Sequence, residues 1–192
     1  MDFDTLVVET RAVRRFDASR KIGKETLVSF VDNARKSPAS RNIQCKKYIV
    51  VTDEEACAKV FSALAWAGYL ADWAGPEKDE QPVGYILILN DKTIVASSDV
   101  DTGLVAESIV LNARTQGIGA CMLGAINRPL LMDALDIDPD RFKIDLVIAL
   151  GYPKEFPVLV DVVDGDIKYY RDAEGNHYVP KRSLEEVLVK TF

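Results

Sequence analysis

Histidine is nearly absent from this chain of 192 residues; His177 is the only one. A single imidazole leaves multi-histidine metal centres and the Ser-His-Asp or Cys-His forms of nucleophilic catalysis little to draw on. His177 follows Glu174-Gly175-Asn176, a turn signal, so it is expected on the surface at the tip of a hairpin. Cysteine is scarce as well. Cys45, Cys57 and Cys121 form neither a C-x-x-C pair nor a zinc spacing, so reduced, mostly buried thiols are expected. Long hydrophobic runs are missing: the strongest, Val83 to Asn90, is far too short to cross a bilayer as a helix. The opening residues Met1-Asp2-Phe3-Asp4 are acidic where a secretory signal is basic and then apolar. A cytoplasmic protein with no membrane partner is the expectation. A surplus of positive charge is also lacking. The net charge of −6 argues against nucleic acid as a partner, because a phosphate backbone needs a broad basic surface.

What is present is an ordinary globular composition, with 48% hydrophobic and 28% charged residues, enough for one domain over residues 1–192 with a substantial core. The basic residues are unevenly spread. Residues 11–24 hold Arg11, Arg14, Arg15, Arg20, Lys21 and Lys24 against the single acid Asp17. Residues 34–52 hold Arg35, Lys36, Arg41, Lys46 and Lys47 with no acid. Basic islands in an acidic protein fit a small anionic ligand, although Arg20, Lys21 and Lys24 read as a solvated face.

Periodicity places a short helix over residues 3–9 and an amphipathic helix over Lys24 to Lys36, with Leu27, Phe30, Val31 and Ala34 on one face. Lys47 to Val51 reads as a strand, and Thr52-Asp53-Glu54-Glu55 as a capping box with the Thr52 hydroxyl at the cap. Trp66 to Pro82 is irregular. Gly84 to Asn90 reads as a buried strand, and Asp99 to Thr115 as a helix apolar over most of its circumference, hence buried on several sides within the domain or in a dimer. Ala120 to Leu123, Arg128 to Leu135 and Ile144 to Leu150 read as strand, helix and buried strand. Beyond Gly151-Tyr152-Pro153, Val158 to Val163 and Ile167 to Tyr170 look like strands around turns, and Ser183-Leu184-Glu185-Glu186 caps a terminal helix. The class is α+β, a small sheet wrapped by helices.

Gly117-Ile118-Gly119 lacks the third glycine of G-x-G-x-x-G and follows a helix where that fingerprint needs a strand, so a Rossmann nucleotide site is not expected there. Two other stretches carry more chemistry. Arg11-Ala12-Val13-Arg14-Arg15-Phe16 offers arginines to a phosphate or an anionic ring edge. Pro38-Ala39-Ser40-Arg41-Asn42-Ile43-Gln44 offers a hydroxyl and two carboxamides to a ring with donor and acceptor edges.

Taken together these segments resemble the FMN-dependent nitroreductases. The R-S-V-R-x-F and P-S-S-G-N-x-Q-P-W patterns of that family align with Arg11 to Phe16 and with Pro38 to Lys46. Asp101-Thr102-Gly103 matches D-x-G, Gly117-Ile118-Gly119 matches G-L-G, and Ala149-Leu150-Gly151-Tyr152-Pro153 matches A-L-G-Y-P. A basic segment before L-E-E-V is present as Lys181-Arg182-Ser183-Leu184-Glu185-Glu186-Val187.

The resemblance implies a nitroreductase-like α+β fold: a central mixed, mostly antiparallel sheet wrapped by helices, in an interlocked homodimer with FMN at the interface. It also implies reduction by NAD(P)H and oxidation by a nitroaromatic, a quinone or a related small planar acceptor, in two-step exchange. Arg11, Lys181 and Arg182 become candidates for the phosphate, with Ala12 beside it, and Arg14 for the ring edge that turns anionic on reduction. Pro38, Ser40, Asn42 and Gln44 would come from the partner subunit toward the ribityl and pyrimidine groups, and Leu123-Gly124 would face flavin N5. No catalytic side chain is required. Trp66, Tyr69 and Trp73 are candidates for a lid over the substrate, or for packing. Ala12, Thr10, Arg41, Cys45 and Lys46 depart from the family pattern and bear on FMN affinity. Arg41 either reaches the substrate cavity, favouring an anionic acceptor, or lies on the surface. A flavin-binding or storage protein of the same fold is the alternative function. A purely structural dimer fits less well, because buried arginines without a partner are costly.

Overall fold

The computed structural model describes residues 1–192. The chain runs through α1 (Phe3–Glu9), α2 (Lys24–Ala34), β1 (Lys46–Val51), α3 (Glu54–Ser62), β2 (Gly84–Asp91), α4 (Asp99–Thr115) and β3 (Gly119–Leu123). It continues through α5 (Arg128–Ala134), β4 (Phe142–Gly151), β5 (Val158–Asp161), β6 (Tyr170–Arg171), β7 (His177–Lys181) and α6 (Leu184–Val187). No helix is long and apolar enough to cross a membrane.

The central sheet has the order β1-β2-β4-β3 and is antiparallel throughout. All eight residues of β2 are buried, and its apolar side chains of both parities, Tyr85 to Leu89, divide between two cores. Ile86 and Ile88 face Leu27, Phe30 and Ala34 of α2 and Val105, Ile109 and Ala113 of α4. Tyr85, Leu87 and Leu89 face the other side, where Val60 of α3 and Leu131 of α5 pack with Val13 and Phe16. The N-terminal strip reaches that core because Gly151 leaves it room; a Cβ there would stand 2.8 Å from the Phe16 ring.

Three readings need correction. Asp53, not Thr52, caps α3, its carboxylate accepting from Ala56 N–H. Of the two burials expected for the central helix α4, the one within the domain is not met: a single chain covers one side of it, leaving Val100 68% exposed and Leu104 41%. Its excess apolar surface therefore lies outside what one chain can bury. The region after Pro153 also holds a strand the periodicity did not predict, β7, at the centre of a small sheet ordered β5-β7-β6, with β5 and β7 parallel.

Candidate functional site

Beyond α1 the chain lies against β3, with Ala12 bridging Ala120 in parallel and the Val13 N–H donating to Ala120 O at 2.9 Å. This contact fixes the strip from Arg11 to Phe16 along one edge of the sheet. Arg11, Ala12 and Arg14 line a cavity of about 360 Å³ that also takes Glu107 from α4, Met122 from β3, Tyr169, and Lys181 at the end of β7. Arg11 donates from Nη2 to Val7 O at 2.6 Å, while its Nε is buried without a partner. Arg15 is turned away, in a two-pronged pair with Glu80 at 2.8 and 2.6 Å.

Arg14 is 8% exposed. Its main-chain N–H donates to Glu155 Oε1 at 2.6 Å. Its guanidinium lies over the Tyr169 ring, 4.2 Å from the centroid, and donates from Nη1 to His177 Nε2 at 3.3 Å. None of the ion pairs in the chain uses Arg14, so a nearly buried cation meets no carboxylate. Glu155 is held elsewhere: Arg171 Nη2 donates to its Oε2 at 2.8 Å, and His177 Nδ1 stands 3.6 Å from the same oxygen, longer than a formed hydrogen bond. Burial opposes charge on Glu155, but the approach of His177, the Arg14 N–H and the charge on Arg171 outweigh it. Its carboxyl is held at about 2, against an ordinary 4.5.

His177 is therefore not a surface residue on a hairpin tip. The turn exists, with Gly175 at φ 85, but the chain re-enters as β7 and its first side chain is buried to 1% exposure. Register sets Arg171 opposite His177. Glu155, Tyr169, Arg171 and His177 were all missed as site residues, since their partners lie far away in sequence. The one local signal was Glu155 itself, a lone acid between Lys154 and an apolar stretch.

Pro38 and Gln44 line a second cavity of about 430 Å³, with Lys46, Asp101 and Val105. Both cavities use α4 as a wall. Ser40, Arg41 and Asn42 form one exposed 3-10 turn that lines neither cavity. Arg41, Asn42 and Gln44 all have positive φ (50, 55 and 55°). The turn is anchored by the Ser40 N–H, which donates to buried Asp101 Oδ1 at 2.8 Å. Burial opposes the charge of Asp101, yet hydrogen bonds led by that N–H keep its carboxyl below the usual range. Lys46 is buried in an ion pair with Asp145 at 2.7 Å and also donates to Asn90 at 3.0 Å.

The aromatic segment divides. Trp66 packs on Phe61 at 5.8 Å and against Gly75. Tyr69 lies tilted against Tyr169, a residue of the first cavity's lining, with ring centroids 5.0 Å apart, and Trp73 carries the Arg171 guanidinium at 4.4 Å, so both sit beside the Arg14 cluster and outside the cavity. Leu123 is buried at the end of β3, and Gly124 beyond it is exposed. Arg182 is exposed and pairs with Glu186. Burial pushes the thiols of Cys57 and Cys121 up to about 11, so neither is an activated nucleophile.

A cavity rimmed by Arg11, Arg14 and Lys181, with one orphaned buried Nε and one buried cation lacking a carboxylate, is suited to an anionic ligand. Its volume lies within the range of small-molecule sites, about 300–1,000 Å³. These residues fit a phosphorylated cofactor.

A protein of Archaeoglobus fulgidus provisionally named NADH dehydrogenase/NAD(P)H nitroreductase is 27% identical over 155 residues, covering 78% of this chain and 84% of its own. The CLA biosynthesis enone reductase of Lactiplantibacillus plantarum is 23% identical over 191 residues, covering 82% and 88%. Among solved structures, a protein from Desulfovibrio desulfuricans crystallised with FMN superposes with a TM-score of 0.69 at 20% identity, covering 98% of this chain and 95% of that one. A nitroreductase family protein from Clostridium novyi NT gives 0.67 at 22%, covering 97% and 98%. At these identities the solved structures establish the fold. The Nitroreductase family model matches residues 7–81 and 80–152, three quarters of the sequence, and the chain belongs to the Nitroreductase family.

Proposed function

We propose that this protein is an FMN-dependent oxidoreductase that draws reducing equivalents from NAD(P)H and passes them, in two-step exchange, to a small planar acceptor such as a nitroaromatic, a quinone or an enone. The observation that carries the reading is Arg14: a nearly buried guanidinium with no carboxylate partner, aimed with Arg11 and Lys181 at one cavity. The FMN in the Desulfovibrio relative and the reductase names of the Archaeoglobus and Lactiplantibacillus relatives support it. Bound FMN would supply a two-electron acceptor and donor. Arg11 and Lys181 would hold the phosphate, and Arg14 would favour the ring edge that gains negative charge on reduction. No side chain need act as a nucleophile, consistent with thiols kept protonated by burial.

The site is complete, in this reading, only in a homodimer. The cavity at Arg11 and the loop from Pro38 to Gln44 lie on separate parts of one chain, so a partner's loop would complete each cavity. The open apolar surface of α4, joined by Phe3 and Val8 of α1, supports such an interface. Tyr69 and Trp73 would cover the acceptor side.

The test is a visible spectrum of the purified protein followed by anaerobic addition of NADH and, separately, NADPH. A yellow protein bleached by either nicotinamide and recoloured by an acceptor is expected. A colourless protein that takes up no added FMN overturns the reading. A yellow protein that neither nicotinamide bleaches selects flavin storage instead.

A further inference from the structure

Arg14 has a carboxylate within one residue's reach and does not pair with it. Glu155 accepts the Arg14 main-chain N–H, yet between its charge and the guanidinium stands the His177 ring. A guanidinium can only donate, so the 3.3 Å contact from Arg14 Nη1 makes His177 Nε2 the acceptor. With Nε2 accepting, the tautomer that fits carries its proton on Nδ1, which faces Glu155 Oε2 at 3.6 Å without a formed hydrogen bond. That same Oε2 accepts from Arg171 at 2.8 Å, and Tyr169 and His177 meet edge to face with centroids 5.7 Å apart.

This arrangement does something an ion pair could not. A carboxylate in contact with Arg14 would hold the guanidinium but would cancel its charge. A neutral acceptor fixes the direction of the guanidinium and leaves the charge for whatever enters the cavity. We propose that His177 is a positioning residue, which holds Arg14 through a neutral hydrogen bond and so reserves the guanidinium charge for the anionic, reduced state of the bound flavin. The inference rests on the proposed function. It adds that the preference of the site for reduced over oxidised cofactor is set by a residue that does not line the cavity.

The test compares His177→Gln, which keeps a neutral acceptor, with His177→Leu, which removes it, in FMN-loaded protein. The readout is the midpoint potential of the bound flavin by anaerobic spectroelectrochemistry, with melting temperature as a check on folding. His177→Leu is expected to lose about tenfold in the ratio of reduced to oxidised affinity, a fall of about 30 mV for a two-electron couple. His177→Gln should stay close to the parent. In an Arg14→Ala background, His177→Leu should produce no further fall. A folded, loaded His177→Leu with the parental potential overturns the proposal, as does an equal fall in the Arg14→Ala background. Parent protein that binds no FMN instead removes the functional reading beneath it.

A second measurement needs no substitution. His177 is the only histidine, so its ¹⁵N imidazole signals are unambiguous. A neutral ring protonated at Nδ1 at pH 7 is expected, and a cationic ring there overturns the proposal.

Discussion

Replacing Glu155 by glutamine should destabilise the protein by an amount that shrinks as the solution is acidified. Its carboxyl is held at about 2 in the folded chain against an ordinary 4.5. A group whose folded value is depressed contributes stability above its unfolded value and loses it as pH falls toward the folded value. At about 1.4 kcal/mol for each tenfold change in proton affinity, the contribution is on the order of 3 kcal/mol at pH 7. The same two values leave about 1.4 kcal/mol at pH 3 and about 0.4 kcal/mol at pH 2. Glutamine keeps an oxygen for the Arg14 N–H but takes the charge away from Arg171, whose side chain is 14% exposed. Breaking a buried pair in this way costs about 3–5 kcal/mol at neutral pH, in agreement with the titration figure. The assay is guanidinium chloride unfolding of both proteins at pH 7 and pH 3, comparing the difference between them so that all other carboxylates cancel. A difference that does not shrink between those pH values would refute the role assigned to the Glu155 charge, and so would one below about 1 kcal/mol at pH 7.

Arg41 sits at φ 50, where an L side chain costs about 1–2 kcal/mol and glycine costs nothing sterically. Allowing about 0.5–1 kcal/mol for glycine's freedom in the unfolded chain, Arg41→Gly should raise the melting temperature by about 1–4 °C, and Arg41→Ala should not. Asp145→Ala leaves the Lys46 ammonium buried and unpaired, and should cost about 3–5 kcal/mol in denaturant unfolding. Adding Lys46→Met should recover at least about 1 kcal/mol, and a strictly additive double variant would contradict the pairing. Arg14→Ala, reconstituted with FMN, should be reduced by nicotinamide about tenfold or more slowly in stopped flow. Unchanged kinetics would remove the role assigned to Arg14.

The elements most legible in the sequence were those whose signal is local. Helix α4 spans Asp99–Thr115 as its periodicity predicts, and Ser183 caps α6 with the reciprocal Glu186 bond that the capping-box spacing calls for. What α4 faces was not legible. Val100 and Leu104 are as apolar as Val105 and Ile109, and only the position of the sheet decides which pair one chain can cover. The loop from Pro38 to Gln44 shows the same division. Its residue types indicated hydrogen bonding, but the positive φ values at Arg41, Asn42 and Gln44 depend on Asp101, about sixty residues later, accepting the Ser40 N–H.

His177 marks the limit most sharply. The turn before it was read correctly, and the inference from turn to surface failed, because a turn fixes chain direction and not depth. Depth came from partners at positions 14 and 155, and their chemistry explains why an imidazole is suited to the place. A carboxylate at 177 would stand against Glu155, and a cation would stand against Arg14 and Arg171. An apolar side chain would leave the Arg14 Nη1 donor without its acceptor in a nearly buried site, at about 1–3 kcal/mol. Of the ring-bearing side chains, only histidine is at once neutral, an acceptor on one edge and a donor on the other. The scarcity of histidine in this chain removed several kinds of catalysis from consideration. The one that remains stands where an acceptor must touch a cation without discharging it.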